Sequence, residues 1–172
     1  MKSLHIVVAH AAVIISALAL APSPAASQQK SMKDQIVGAW RILTDDNVKA
    51  DGTRTPLFGP NPNGIVIFDS SGRYTLQVAK SNNPRIASNN RATGTADENK
   101  AVVQGSIAHF GSYSVDEGSK TLIFRIESST FPNWEGTQQR RPLTILGPDD
   151  LKWVTPEASV GGTAELLWRR IK

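Results

Sequence analysis

Short segments rich in β-branched and aromatic residues recur along most of this chain, and clusters of Gly, Pro, Asn, Asp and Ser separate them. Eight of these segments are predicted as strands: residues 38–44, 65–68, 74–78, 109–115, 121–127, 138–145, 151–155 and 164–171. Eight consecutive antiparallel strands close well into a barrel, which removes exposed sheet edges and leaves room for one small ligand. The sequence therefore predicts an all-β protein built as an eight-stranded antiparallel barrel.

The connections between these strands differ in character. Residues 45–63 are rich in Asp, Gly, Pro and Asn and are predicted as a long loop. Residues 95–98 read Thr-Ala-Asp-Glu and match a capping box, which predicts one short helix to about Gln104, between the third and fourth strands. This helix and the polar residues 81–94 form either a lid or a disordered segment, since long loops in compact domains are often one or the other.

The N-terminal residues have the order of a secretory signal peptide. Lys2 supplies a positive charge, an apolar run follows over residues 6–21, and small residues precede position 28. We expect cleavage of residues 1–27, which leaves residues 28–172 as one secreted or periplasmic domain. An uncleaved anchor is the alternative, but the apolar run is shorter than the ~20 residues of a membrane span, so no stable span is expected after cleavage.

The residue types restrict the chemistry. The chain contains no cysteine, and His109 is the only histidine after position 27. A Cys nucleophile is therefore excluded, a His/Cys zinc site nearly so, and no cofactor or metal is expected. The net charge of +4 is scattered, without the basic patch or motif of nucleic-acid binders, so no nucleic-acid partner is expected. The sequence leaves the oligomeric state open.

Three stretches carry a family resemblance. Gly38-Ala39-Trp40 follows one predicted helical turn, residues 131–137 read Phe-Pro-Asn-Trp-Glu-Gly-Thr, and residues 166–170 read Leu-Leu-Trp-Arg-Arg. Together they resemble the lipocalin-like domain proteins of bacteria and fungi. The resemblance implies a calycin-type barrel in which Trp40 plugs the closed end and Arg169 or Arg170 packs across its ring. It implies little about activity, because a fold does not fix a function.

Five side chains are candidate ligand-binding residues: Asn133, Trp134, Tyr113, His109 and Arg141. Asn133 and Trp134 belong either to a loop at the barrel mouth or to a structural bend. His109 and Tyr113 share one strand face, because side chains alternate with period two. If that face is internal, the two residues and an arginine form a polar cluster for acid–base chemistry or carboxylate binding. Otherwise His109 is exposed and Tyr113 is a core residue.

Two adjacent arginines also require an explanation. Arg140 and Arg141 point to opposite strand faces, so one of them faces inward. A buried arginine needs an anionic partner, for which Glu127, Glu135 or a ligand carboxylate is available.

These observations favour a protein that binds a small hydrophobic or amphipathic molecule in the barrel, since such a protein needs no catalytic group. An isomerase or cyclase-type enzyme that uses Tyr113, His109 or an arginine is one alternative. A filled barrel with a structural or partner-binding role is the other.

Overall fold

The computed structural model of the protein describes residues 30–172. The predicted signal peptide therefore lies outside the described residues. The described chain forms these elements: α1 (Met32–Ile36), β1 (Gly38–Val48), β2 (Arg54–Pro56), β3 (Asn63–Phe68), β4 (Arg73–Ala79), α2 (Ala96–Gln104), β5 (Ser106–Asp116), β6 (Thr121–Ser129), β7 (Gln138–Ile145), β8 (Asp150–Thr155) and β9 (Thr163–Arg170), with 3₁₀ turns at Arg91–Thr93 and Pro132–Trp134.

Eight of the strands close into an antiparallel barrel. The order is β1-β3-β4-β5-β6-β7-β8-β9, and β9 returns to pair with β1. In this closing seam Trp40 lies opposite Arg170, and Val48 lies opposite Thr163. The structure thus confirms the predicted eight-stranded antiparallel barrel.

The predicted long loop at residues 45–63 is wrong in part. The first strand continues to Val48, and the short strand β2 pairs with its end, so that Asp46 lies opposite Pro56. A shift in the β1–β9 register between Ile42 and Thr44 allows β1 to continue past the predicted end while it follows the curvature of the barrel. This extension brings Asp45 into the barrel wall.

Aromatic side chains fill one half of the barrel. The rings of Trp40, Phe68, Phe124, Trp153 and Trp168 are almost completely buried there. The helix α1 covers this end. Nε1 of Trp40 donates a 2.8 Å hydrogen bond to the carbonyl oxygen of Ile36, the last residue of α1. We call this half the closed end.

The guanidinium of Arg170 lies 4.0 Å from the centre of the Trp40 ring and also donates hydrogen bonds to the carbonyl oxygens of Gln35 and Val37. Arg170 therefore occupies the position expected from the resemblance. Arg169 points outward and pairs with Asp150.

The connection between β4 and β5 crosses the opposite end. The helix α2 begins at the capping box, in which Thr95 accepts a hydrogen bond from the backbone of Glu98 and Glu98 accepts one from the backbone of Thr95. Glu98 also accepts a hydrogen bond from the backbone of Ala87, and the side chain of Asn83 donates one to the carbonyl oxygen of Gly105. The polar residues before the helix are thereby held against both of its ends.

Candidate functional site

The end of the barrel away from Trp40 contains a cavity of about 220 Å³. Its walls are mainly apolar, and its rim comes from α2 and from three connections between strands. The lining residues are Asp45, Leu57, Phe58, Leu76, Val78, Val103, Gln104, Ser106, Ile107, His109, Thr130, Phe131, Trp134, Arg141, Thr155, Ala158, Ser159, Val160, Ala164 and Leu166. A mostly apolar pocket with a few placed polar groups is typical of small-molecule sites.

The apolar wall follows from strand alternation. In β4, Leu76 and Val78 point inward while Thr75 and Gln77 point outward. The same alternation in β9 places Ala164 and Leu166 on the cavity side. Burial of these alternate positions holds the strands around the cavity.

Polar side chains lie where the cavity meets the aromatic filling. Asp45, His109, Arg141 and Thr155 are buried there, and all four line the cavity. The hydroxyl of Tyr74 lies 2.9 Å from Nδ1 of His109. We call Asp45, Tyr74, His109 and Arg141 the polar floor.

The guanidinium of Arg141 is fixed from several sides. Nη2 donates a hydrogen bond to Oε1 of Gln139 over 2.6 Å. The group also lies over two aromatic rings, 4.7 Å from the ring centre of Phe124 and 5.7 Å from that of Trp134. Contacts of this kind stabilise a cation and set its orientation.

Burial changes the charge states of the polar floor. It raises the pKa of Asp45 to about 7, although the charge of Arg141 acts in the opposite direction. It lowers the pKa of Arg141 to about 10, which leaves the guanidinium cationic at neutral pH. Burial, helped by the charge of Arg141, lowers the pKa of His109 well below its ordinary value, so the imidazole is neutral. The floor therefore has one fixed positive charge and one carboxyl group that titrates near neutral pH.

The structure places three of the five predicted site residues at this cavity: His109, Trp134 and Arg141. His109 and Tyr113 do share the internal face of β5, but the hydroxyl of Tyr113 donates a hydrogen bond to the carbonyl oxygen of Asp69 at the closed end. The tyrosine that contacts His109 is Tyr74. The grouping of Tyr113 with His109 in one polar cluster is therefore wrong.

Asn133 lies outside the cavity. Its side chain is exposed on the 3₁₀ turn Pro132–Trp134 and borders a neighbouring surface groove, together with Gln138 and Glu157. Trp134 is half-buried and has its ring 5.7 Å from that of His109. The turn thus directs Trp134 toward the barrel and Asn133 toward solvent.

The two arginines separate as expected, because Arg141 is buried and Arg140 forms an outer ion pair with Asp116. The suggested protein partners of Arg141 are wrong. Glu127 pairs with Arg73 on the outside. Its outward position follows from strand alternation, because Phe124 and Ile126 point inward and Glu127 is the next residue on the outer face of β6.

Glu135 is also turned away from the barrel interior. Its carboxylate accepts hydrogen bonds from the hydroxyl of Ser128 and the backbone of Ser129. The carboxyl group that interacts electrostatically with Arg141 is that of Asp45. Arg141 lowers the pKa of Asp45, and Asp45 raises the pKa of Arg141.

Sequence reasoning missed Asp45 and Tyr74. The alternation of Tyr74 with Leu76 and Val78 could have indicated its internal position. Strict alternation from Trp40 and Ile42 instead places Thr44 inside, and only the irregularity between Ile42 and Thr44 brings Asp45 inward. That irregularity has no signal in the sequence.

None of the helices between residues 30 and 172 has the length and hydropathy needed to cross a membrane. Within the same residues, no three His, Asp or Glu side chains lie close enough together to hold a metal ion.

Comparison with known proteins finds one curated relative and several solved structures that are similar to this chain. A 4'-hydroxy-3'-methoxypropiophenone carrier protein of Aspergillus oryzae is 29% identical over 107 residues, which cover 56% of this chain and 96% of the relative. A redesigned β barrel has a TM-score of 0.45 at 16% identity, covering 83% of this chain and 100% of its own. A fluorescence-activating β barrel of de novo design has a TM-score of 0.43 at 14% identity, with coverages of 83% and 99%.

The sequence model of one family, described as a lipocalin-like domain, matches nearly the whole described chain. The match covers residues 37–171 and includes every strand of the barrel. This protein belongs to the lipocalin-like domain family.

Proposed function

We propose that the protein binds a small, mainly apolar molecule with polar substituents in the barrel cavity. One observation carries this proposal: a cavity of about 220 Å³ with apolar walls and a buried polar floor, in a barrel whose other half is filled by aromatic rings. Open space beside buried polar groups is costly unless something occupies it, because those groups lose their hydrogen bonds to water.

The volume limits the size of the ligand. A dry engineered cavity of about 150 Å³ takes up benzene. A cavity of about 220 Å³ therefore suits one aromatic ring with short substituents, and its open rim allows one substituent to extend into solvent.

The carrier protein of Aspergillus oryzae supports this size and chemistry. The molecule in its name is a single-ring ketone with one hydroxyl and one methoxy group. Such a ring would pack between Leu76, Val78 and Leu166, while its oxygen substituents would face the polar floor.

The test is titration calorimetry with 4'-hydroxy-3'-methoxypropiophenone, combined with native mass spectrometry of protein purified from its own host. Ala164→Phe fills the cavity, because Ala164 is buried on its wall. Ala39→Phe is the matched control, since Ala39 is half-buried on β1 and points away from the interior.

We expect wild type and A39F to bind equally and A164F to bind at least about tenfold more weakly while it keeps a cooperative unfolding transition. Absence of binding by every variant, together with absence of a co-purifying small molecule, would refute the proposed function.

Acid–base catalysis on the bound molecule is a second candidate function. The observation in its favour is a carboxyl group with a pKa of about 7 that lines the same cavity as a neutral histidine, which is hydrogen-bonded to a tyrosine. A general acid or base works best near the operating pH. Recovery of chemically altered ligand after incubation with wild type, but not with Asp45→Asn, would identify an isomerase or cyclase-type enzyme.

We also propose that the protein acts outside the cytoplasm, on the basis of the signal-like order of residues 1–27. Mass measurement of the protein from its host tests this. Removal of residues 1–27 is the expected result, and an intact N-terminus on protein found only in the cytoplasm would contradict it.

A further inference from the structure

Two ionisable side chains of the polar floor have atoms without a hydrogen-bond partner in the described residues. Oδ1 of Asp45 and Nε of Arg141 are buried and have no hydrogen-bond partner in the described chain. The residues are only 4% and 2% exposed, and both line the cavity. Buried charged groups in proteins are normally paired and hydrogen-bonded, so this floor indicates that a polar group enters from the cavity.

We propose that the cavity takes up a single-ring carboxylic acid, which binds as its anion with its carboxylate at the guanidinium of Arg141 and beside a protonated Asp45. This inference rests on the proposed binding function and specifies the ligand of that same site.

The first argument is charge. Arg141 is the cation of the polar floor, and its guanidinium is already oriented by Gln139, Phe124 and Trp134. A planar guanidinium binds carboxylates through parallel N–H···O bonds, and an orientation set in advance reduces the entropy lost on binding. A neutral ligand would leave this charge without an anion whenever Asp45 is protonated.

The second argument is the proton on Asp45. The groups that face Asp45 are Arg141 from β7 and, across the floor, the neutral pair of His109 from β5 and Tyr74 from β4. Asp46, on the same strand, raises the pKa of Asp45 slightly and pairs on the outer face with Arg54. From β9, Glu165 binds the same Arg54 and is therefore also turned outward.

A ligand carboxylate next to an ionised Asp45 would be repelled, whereas a protonated Asp45 donates a hydrogen bond to it. Because the pKa of Asp45 is about 7, this proton is present at slightly acid pH and lost above neutrality. The affinity for a carboxylate should therefore fall about tenfold for each pH unit above about 7.

The test compares 3-phenylpropanoate with its neutral amide, 3-phenylpropanamide, by titration calorimetry at pH 6, 7, 8 and 9. The two probes have the same ring and chain, and the acid is ionised throughout this range. At pH 6 we expect the acid to bind wild type at least about tenfold more tightly than the amide, with the advantage decreasing above pH 7.

Two variants separate the roles. Asp45→Asn should keep the preference for the acid and lose its pH dependence. Arg141→Gln should lose the preference itself, while Arg140→Gln, at the adjacent exposed arginine, should behave as wild type. The comparison of the two probes on wild type remains decisive if Arg141→Gln does not fold.

Equal or tighter binding of the amide at pH 6 would overturn this inference, and an unchanged pH dependence in Asp45→Asn would overturn the role of its proton. If 4'-hydroxy-3'-methoxypropiophenone binds and 3-phenylpropanoate does not, the inference is wrong and the proposed function stands. If 4'-hydroxy-3'-methoxypropiophenone, 3-phenylpropanoate and 3-phenylpropanamide all fail to bind, both the inference and the proposed function are wrong.

Discussion

The hydroxyl of Tyr74 lies 2.9 Å from Nδ1 of His109, and both side chains are buried on neighbouring strands. Burial raises the pKa of Tyr74 and lowers the pKa of His109, so both groups are neutral at physiological pH. This contact fixes the imidazole ring in the cavity wall, where the half-buried ring of Trp134 packs against it edge-on. The position of the only histidine in the described chain is thus set by Tyr74, a residue that the sequence analysis did not include among the candidate site residues.

Replacement of Tyr74 by Phe should therefore change both stability and binding. The variant leaves Nδ1 of His109 buried without a partner, which should lower the free energy of unfolding by about 1–3 kcal/mol. Tyr113→Phe is the matched control, because it removes a 2.8 Å hydrogen bond to Asp69 at the closed end. Urea unfolding should show losses of similar size for both variants, but calorimetry should show weaker ligand binding only for Y74F. Weaker binding by Y113F than by Y74F would contradict this arrangement.

Replacement of Asp45 by Asn should stabilise the protein at neutral and alkaline pH. The pKa of Asp45 rises from 3.8 to about 7 on burial, so between these values the folded state holds a proton that the unfolded state has lost. The free energy of unfolding of wild type therefore falls as pH rises from about 4 to about 7 and is constant, for this group, above about 7. The stability gained by D45N should be near zero at pH 4 and reach about 2–4 kcal/mol at pH 8.

Urea unfolding of both proteins at pH 4, 5, 6, 7 and 8 measures this difference. His109 is present in both, so its own titration cancels when the two free energies are subtracted. A difference that stays constant with pH would mean that Asp45 is ionised in the folded protein, contrary to the effect of its burial.

Strand alternation predicts which face of the sheet a residue lies on, and only this part of the site could be predicted from the sequence. Alternation correctly places His109 and Tyr113 on one internal face of β5. It does not give their depth along the barrel, and four residues of strand separate them by about 13 Å, which is enough to place them at opposite ends. Closure of the barrel was predictable because each strand has its own turn signals, but the two register irregularities near Leu43 and Glu127 depend on curvature of the closed sheet. The irregularity near Leu43 decides that Asp45 faces inward, whereas alternation with Phe124 and Ile126 already places Glu127 on the outer face.

At the closed end, substitution of Arg170 should reveal how much its position on Trp40 contributes. Its guanidinium lies 4.0 Å from the ring centre and bonds the carbonyl oxygens of Gln35, Val37 and Pro148. A lysine keeps the charge but cannot stack or reach several acceptors in one plane. Arg170→Lys should lower the free energy of unfolding by about 2 kcal/mol, whereas Arg169→Lys, in an exposed ion pair with Asp150, should change it by less than about 1 kcal/mol.

Thermal and urea unfolding of the two lysine variants provide this comparison. Equal losses would show that the stacked arrangement adds nothing to a surface ion pair. Ligand affinity should be unchanged in both variants, since Arg170 and Arg169 lie outside the cavity.

The close approach of β5 to β6 at Gly111 should make this glycine intolerant of a side chain. A Cβ there would lie 2.0 Å from the backbone oxygen of Arg125, which cannot move independently of its strand. Gly111→Ala should therefore force the two strands apart beside the register irregularity near Glu127, lower the free energy of unfolding by about 1–3 kcal/mol, and shift His109 two residues away. Because His109 lines the cavity, the affinity for ligand should decrease as well.

Gly118→Ala is the matched control for this effect. It lies in the turn between β5 and β6, where a Cβ would meet only a side-chain oxygen of Asp116 at 3.6 Å. The control should unfold and bind ligand as wild type does. If G111A matched it in both measurements, the spacing of β5 and β6 would not be what holds His109 in the cavity wall.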